Sequence, residues 1–530
     1  MFLSLNSGKG VPNTTSGLRQ LKLPYNLGLA VLLLFFALGR LATTKADPDL
    51  WGYLVFGRLF WTSGHFPYQD IFSYIPTLPR WVYHEWLTGV LFYPIYQSLG
   101  SAGLQLLKIG LGLVTLGLVF LTARRLKADV LGAIVGLFII QGFLTMGYSP
   151  VRAQVFTYAF YALTLYLLET ARQTGRWRVL LFLTPLQIFW CNLHGGFVAG
   201  LGLICLYALG EALSRRPFWP YAGIFLISAL ATLINPYGLE YWQYIIQAVT
   251  MPRPEITEWA SVFKAYRAGI DQGELLNLIS VVTIFSFLAW WVRWRDLTAI
   301  LSLCLTLYLG IRHTRHMVFF LLLTGAYLPA LLTRFLERIT SDPKLISVGK
   351  RLGWKIPVVI GLVIITSFGA KIACRNPLSL KIPPLPEKTR KSDIYYPVGA
   401  VEYIKSHNLT GNLLTEFEWG EYLIWILFPQ CKVALDGRYE TVYPEELANQ
   451  YFDFINGRKN WREFLEKYPP EMVLIRSQGR IYALIHAEQQ WRQVYMDLGC
   501  ALFVRNDKLV SPDISKKILL VDDAFHDGTP

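Results

Sequence analysis

The stretch KADPDLWGYLVFGRLFWTSGHFPYQD, residues 45 to 70, decides the architecture. It follows an unbroken apolar run near 26–43, so Asp47 and Asp49 stand where a chain leaving a bilayer meets the headgroups. Aromatic residues crowd in behind them, and a second polar knot, YHEW at 83–86, comes next. Acids at membrane depth are costly unless they cap, hydrate or react.

Working outward, 53% of the 530 residues are hydrophobic and 15% aromatic, with a positive mean hydropathy, more than a soluble domain carries. The fold class is therefore a polytopic α-helical membrane protein. Apolar stretches near 26–43, 104–123, 130–147, 154–168, 179–190, 197–213, 219–234, 275–292, 297–311, 317–333 and 356–373 predict eleven spans, most of them long enough for a crossing helix, which needs roughly 20 residues within a tolerance of a few. Residues 1–24 are polar and lack a signal peptide's apolar core and cleavage site, so the first run reads as a retained anchor behind a cytoplasmic tail. Six cysteines show no metal-type spacing, and Cys431 and Cys500 could pair if their domain lies outside the membrane. The formal charge of +14 follows from basic cytoplasmic loops and calls for no nucleic-acid partner.

Lysines and arginines cluster in the N-terminal tail, at 124–127, in RQTGRWR (172–178), in SRRP (214–217), in RWRD (293–296) and around 334–355. Placing all of them inside requires an even number of crossings between neighbouring clusters. EWLTGVLFYPIYQSL (85–99) must then be an interfacial or re-entrant helix rather than a span, leaving 44–103 as one long outer loop. DLWGYLVFGRLFWTSG (49–64) reads as a second interfacial helix. The N-terminus falls inside, the C-terminal part outside, and the polar oddities collect on the outer side: Asp47, Asp49, Asp70, His84, Glu85, SPVRAQ (149–154), CNLHGG (191–196), INPYGLE (234–240), Glu255, Glu258 and RHTRH (312–316).

After a proline-rich linker (374–397), alternating helix and strand patterns over 398–510 predict a small extracytoplasmic α/β domain, followed by a polar tail, 511–530. LDGRYE (435–440) reads first as a plain turn. Neither GxxxxGK[ST], GxGxxG between a strand and a helix, nor HExxH occurs, which disfavours a nucleotide-driven pump.

Asp49 has a ready structural role as cap of the helix starting near Leu50. Asp47 has no such role left to it and is the stronger catalytic candidate. A carboxylate there suits a general base for an acceptor hydroxyl. Alternatively, the pair Asp47 and Asp49 could hold a divalent cation, Mg or Mn, against a phosphate leaving group. His84, Glu85, Asn192 and His194 are candidates for substrate binding. Arg152, Arg312 and Arg315, with His313 and His316, sit at outer span ends against the cytoplasmic bias, as a clamp on a lipid-linked phosphate would.

The first span followed by DPDLWGYLVFGRLFWTSGHFPYQDIFSY, then RWVYHEWLTGVLFYPIYQSLGSAGLQLLKI, NLHGGF, NPYG, a late Arg/His loop and an α/β domain resembles bacterial integral-membrane glycosyltransferase-like proteins of the GT-C class. It is similar in layout to the protein O-mannosyltransferase and aminoarabinose transferase group. The usual form reads DPDLWWH, whereas Gly52 and Tyr53 stand here, so no histidine serves at position 53. The resemblance implies a polyprenyl-phosphate sugar as donor, inversion at the anomeric carbon, an acidic residue of the first outer loop, matched by Asp47 or Asp49, as base or metal ligand, and a bacterial inner-membrane location. An inverting glycosyltransferase acting on an extracytoplasmic acceptor is the leading expectation. A noncatalytic lipid-binding or assembly protein on the same scaffold comes second. A transporter or flippase comes third, because its polar residues should spread through the mid-membrane.

Overall fold

The computed structural model describes residues 14–251, 256–269, 272–340, 376–386 and 394–508. The apolar run 356–373, Glu255 and the tail 511–530 lie outside them. The first helix, Thr14–Leu41, begins inside the expected N-terminal tail and ends just before the decisive stretch. Asp47 then caps Pro48–Ser63, its side chain accepting the Asp49 amide at 3.1 Å. The cap is thus Asp47, not Asp49, because proline is favoured in the first helical position and Pro48 fixes where the helix begins.

Pro48–Ser63 was expected to lie in the lipid interface. Instead its residues Leu50 to Gly57 are all buried, packed between the first part of Trp86–Arg125 on one side and Gly420–Leu427 of the C-terminal domain on the other. The aromatics of this half, Trp51, Tyr53 and Phe56, meet protein on both sides, whereas Trp61 nearer the C-terminal end is 56% exposed. Trp86–Arg125 is broken at Gly100 (φ 59°, ψ −152°), which sets the 86–99 segment apart from the apolar helix that follows. The 130–147 run is bent too: Val130–Ile140 and Gly142–Tyr148 meet at 50°. Among the described residues, Trp86–Arg125 and Thr314–Arg338 are long and apolar enough to cross a bilayer unaided, and the bent pair passes jointly.

The bundle's other end is not a set of plain basic loops. The Arg172 side chain is 5% exposed, with Nε 2.7 Å from Glu211 and a two-pronged contact to Asp296 at 2.7 Å on each arm. Glu169 joins through the hydroxyls of Tyr207 and Tyr327. This network ties Gln154–Thr174, Phe197–Leu213, Leu297–Arg312 and Met317–Thr340 together.

The C-terminal part forms a five-stranded mixed sheet of order β2-β1-β3-β5-β4, with β1 Gly411–Thr415, β2 Cys431–Val433, β3 Met472–Arg476, β4 Trp491–Met496 and β5 Cys500–Arg505. The first three pair in parallel, while β3–β5 and β5–β4 pair antiparallel. Cys431 and Cys500 are free and buried. Their strands are three sheet steps apart, about 14 Å at about 4.8 Å per step, beyond disulfide reach; the anticipated pairing does not form.

The segment 64–85 adds to this sheet. Val433 N–H donates to Phe72 O and Tyr74 N–H to Val433 O, both at 3.1 Å, so residues 72–74 run along the free edge of β2. Beside it the buried Arg438 pairs with Asp70 and Asp436 and lies 5.1 Å and 5.0 Å over the rings of Phe72 and Trp81. LDGRYE is therefore no plain turn but a clamp between the C-terminal domain and the segment 70–81.

Candidate active site

The site is assembled from loops at one end of the helices. Two buried polar side chains on Trp86–Arg125 set its frame. Lys108 Nζ donates to Thr43 O (2.9 Å), Thr43 Oγ1 (3.1 Å) and Ser149 O (3.1 Å). Gln105 Nε2 donates to Thr43 O (2.9 Å) and Pro377 O (2.8 Å). The carbonyls they hold lie four residues before Asp47 and three before Arg152. The ammonium's three donors meet three acceptors, which is what lets a lysine sit in an apolar helix.

Arg152 is the hub. Its Nε stands 2.6 Å from Asp47 Oδ1 and 3.6 Å from Asp49 Oδ2, and its Nη1 lies 2.6 Å from Glu258 Oε1. Asp47 is 1% exposed, and its Oδ2 finds no hydrogen-bond partner among the described residues. The Asp49 side chain keeps 39% of its exposure and opens onto the cleft. Burial pushes the Asp47 carboxyl up to about 7 against the pull of Arg152, whereas Arg152 holds Glu258 below the ordinary range.

A second group adjoins the first. Glu85 Oε1 lies 3.4 Å from His194 Nε2 and 3.6 Å from His84 Nε2, and the Tyr53 hydroxyl adjoins the same carboxyl. His194 Nδ1 accepts the Gly196 amide at 2.8 Å and lies 2.8 Å from Thr157 Oγ1, which takes the Trp190 indole N–H at 2.8 Å. This network assigns the ring proton to Nε2, facing Glu85. Gly196 is needed there: a Cβ would fall 2.6 Å from Thr157 Oγ1. Burial, then the neighbouring His84 and Arg315, hold His194 neutral. Burial and then the charge of Asp49 raise Glu85 to about 8. The cleft thus sorts its acids, Glu258 ionised and Glu85 protonated at neutral pH, as groups with divided tasks require.

The RHTRH loop is only partly recruited. His313 Nδ1 donates to Trp259 O at 2.8 Å, and the Thr314 amide donates to Ala260 O at 3.1 Å, which lays the loop on the segment that carries Glu258. Arg315 lies 4.9 Å over the Trp259 ring, and its charge reaches both Glu85 and Glu258. His316 packs edge-on against Trp259 at 5.9 Å. Arg312 is exposed at the end of Leu297–Arg312, apart from this group. Asn192 is a strut: its amide N–H groups reach Ile188 O and Ile234 O, and its oxygen accepts the Trp86 indole N–H at 2.8 Å. His84 stacks on Tyr244, ring centres 5.3 Å apart, with Nδ1 3.0 Å from its hydroxyl.

The residues present do not fit a divalent cation. Arg152 already occupies the position facing Asp47 and Asp49, and among the described residues no three His, Cys, Asp or Glu side chains form a metal-binding group. Lys108, Gln105 and Thr157 escaped the reading of the sequence, although a lysine inside the apolar run 104–123 was signal enough to find one of them.

The sequence matches no family model, and no curated protein matches it. Solved structures do. The archaeal oligosaccharyltransferase AglB from Archaeoglobus fulgidus, in complex with an inhibitory peptide and a dolichol-phosphate, superposes with a TM-score of 0.56 at 12% identity, over 85% of this chain and 69% of that one. The arabinofuranosyltransferase AftD from Mycobacteria gives 0.52 at 12% identity, over 90% of this chain and 39% of its own longer one. The chain carries the fold of the GT-C membrane glycosyltransferases.

Proposed function

We propose that this protein transfers a sugar from a polyprenyl-phosphate donor to an extracytoplasmic acceptor, with inversion. The observation that carries the reading is the Asp47–Arg152–Glu258 cluster, with Asp49 open to the cleft beside it, at the end of the first helix. The dolichol-phosphate bound by the archaeal relative of this fold supports a lipid phosphate as partner. In this reading eleven spans cross the membrane, the N-terminus lies inside, and the cleft and the C-terminal domain face outward.

Asp49 acts as base. It is the accessible carboxyl, while Asp47 is occupied as cap and as partner of Arg152. The acceptor hydroxyl gives its proton to Asp49 as its oxygen bonds to the anomeric carbon. The bond from that carbon to the phosphate oxygen breaks, and its electron pair leaves with polyprenyl phosphate. Arg315 and Arg152 face the developing charge, in place of a cation. The test is transfer of radiolabelled sugar in proteoliposomes from a panel of polyprenyl-phosphate donors. Loss of turnover in Asp49→Asn, with folding and lipid binding intact, is the expected result. Tight binding of polyprenyl phosphate without transfer from any donor would favour a noncatalytic lipid-binding scaffold.

A further inference from the structure

Gly52 stands three residues after Asp49 on Pro48–Ser63, facing the helix Gly420–Leu427 of the C-terminal domain. Its amide donates to Glu421 Oε2 at 3.0 Å, a contact between residues 369 positions apart. A Cβ on residue 52 would fall 2.6 Å from that carboxyl, so only glycine leaves the notch that Glu421 fills. The same pair of helices is clamped again where Arg58 Nη1 donates to Trp425 O at 3.1 Å and its guanidinium lies 4.5 Å over the Trp425 ring. Gly437 closes a third side: a Cβ there would fall 2.9 Å from Glu421 Oε1 and 3.6 Å from Asp49 Oδ1. Glu421 is 5% exposed. The nearby cation, Arg438, is committed to Asp70 and Asp436. An apolar side chain would fill a buried notch at lower cost than a carboxyl, so stability alone does not account for Glu421.

We propose that Glu421 is a positioning residue of the transfer site: the C-terminal domain reaches across the fold to hold the helix that presents Asp49 to the cleft. The inference rests on the reading of that cleft as the transfer site. Two arms separate the ideas. The first compares kcat and KM for the lipid donor, per mole of monodisperse protein, in Glu421→Ala, Glu421→Gln, Gly52→Ala and the double variant Gly52→Ala/Glu421→Ala. The second follows hydrogen–deuterium exchange of peptides covering residues 47–57 and needs no turnover.

In Glu421→Ala and Gly52→Ala, kcat falls by about tenfold or more with KM little changed, since a small misplacement of a reacting group costs that much, and exchange over 47–57 quickens. Glu421→Gln keeps an oxygen for the Gly52 amide and stays within about threefold of the native rate. In the double variant the new Cβ occupies the vacated notch, so its loss does not exceed that of Gly52→Ala alone. A native rate and native exchange in Glu421→Ala would overturn the proposal, as would a loss in Glu421→Gln equal to that in Glu421→Ala. If the native protein transfers no sugar, the reading of the cleft falls, while the exchange arm still decides whether Glu421 holds the helix.

Discussion

Replacing Arg152 by methionine tests the charge balance of the cleft directly. The side chain neutralises Asp47, which is 1% exposed and 2.6 Å away. Removing one partner of a buried pair ordinarily costs about 3–5 kcal/mol, but Asp47 can escape by taking a proton. Holding neutral a carboxyl whose ordinary value is 3.8 costs about 1.4 kcal/mol per pH unit above it, so about 4 kcal/mol at pH 7 and about 2 at pH 5. In the native protein Asp47 titrates near 7. A raised folded-state value means that its stabilising proton is held at low pH and that stability falls as pH rises, levelling off above about 7. Without Arg152 the folded-state value moves higher still, and the fall continues. Native protein and Arg152→Met should therefore lose stability in parallel below pH 7 and diverge above it, by about 2 kcal/mol at pH 8.5. Thermal unfolding of purified protein between pH 5.5 and 8.5, at one scan rate, reads this gap. A gap that stays constant over that range would refute the coupling of Asp47 to Arg152.

Lys108→Met should remove the ammonium that joins the Thr43 and Ser149 carbonyls and cut turnover by about tenfold or more, with Lys108→Arg retaining more activity than Lys108→Met; equal loss in both would argue against a framing role. Arg438→Met should destabilise the junction between the segment 70–81 and the C-terminal domain by about 3–5 kcal/mol, read as a lower Tm, because Asp70 and Asp436 are left buried without their partner. Transfer should survive chelation of divalent cations, since Arg152 and not a metal faces the aspartates; restoration of an EDTA-silenced enzyme by Mg or Mn would reverse that reading. Polyprenyl phosphate should bind more tightly at pH 6 than at pH 8.5, because Asp47 and Glu85, raised to about 7 and 8, shed negative charge as pH falls; calorimetric titration at the two pH values decides it.

What the sequence disclosed follows the range of the forces involved. Local signals were sufficient for the strands and helices of the C-terminal domain, because alternation and turn residues act over a few positions. The apolar runs likewise marked the helices, and the polar oddities between the runs marked the region where Asp47, Asp49, Glu85, Arg152, His194, Glu258 and Arg315 meet. Contacts made across hundreds of residues were not legible. Nothing local distinguishes LDGRYE from an ordinary turn until Arg438 meets Asp70, and nothing in DLWGYLVF shows that its second face belongs to the helix Gly420–Leu427 rather than to lipid. Position at a span end singles out Asn192 and Arg312, but it is blind to whether a side chain's donors are already consumed, as those of Asn192 are.

The charge of the chain and the charge of the cleft have opposite signs, and the difference bears on how a lipid phosphate could bind there. The protein carries +14 overall, yet the cleft gathers Asp47, Asp49, Glu85 and Glu258 around Arg152 and Arg315. With every acid ionised such a site would repel a phosphate. Burial resolves the conflict by keeping Glu85 protonated and Asp47 balanced near neutrality, which leaves Arg315 only partly neutralised by its neighbours. A cleft built this way carries little net charge to repel an anion and retains a carboxyl able to accept a proton from an acceptor. Both properties depend on the depth at which the acids are held, and that depth is set by Lys108 and Gln105 beneath them and by Glu421 and Arg438 above.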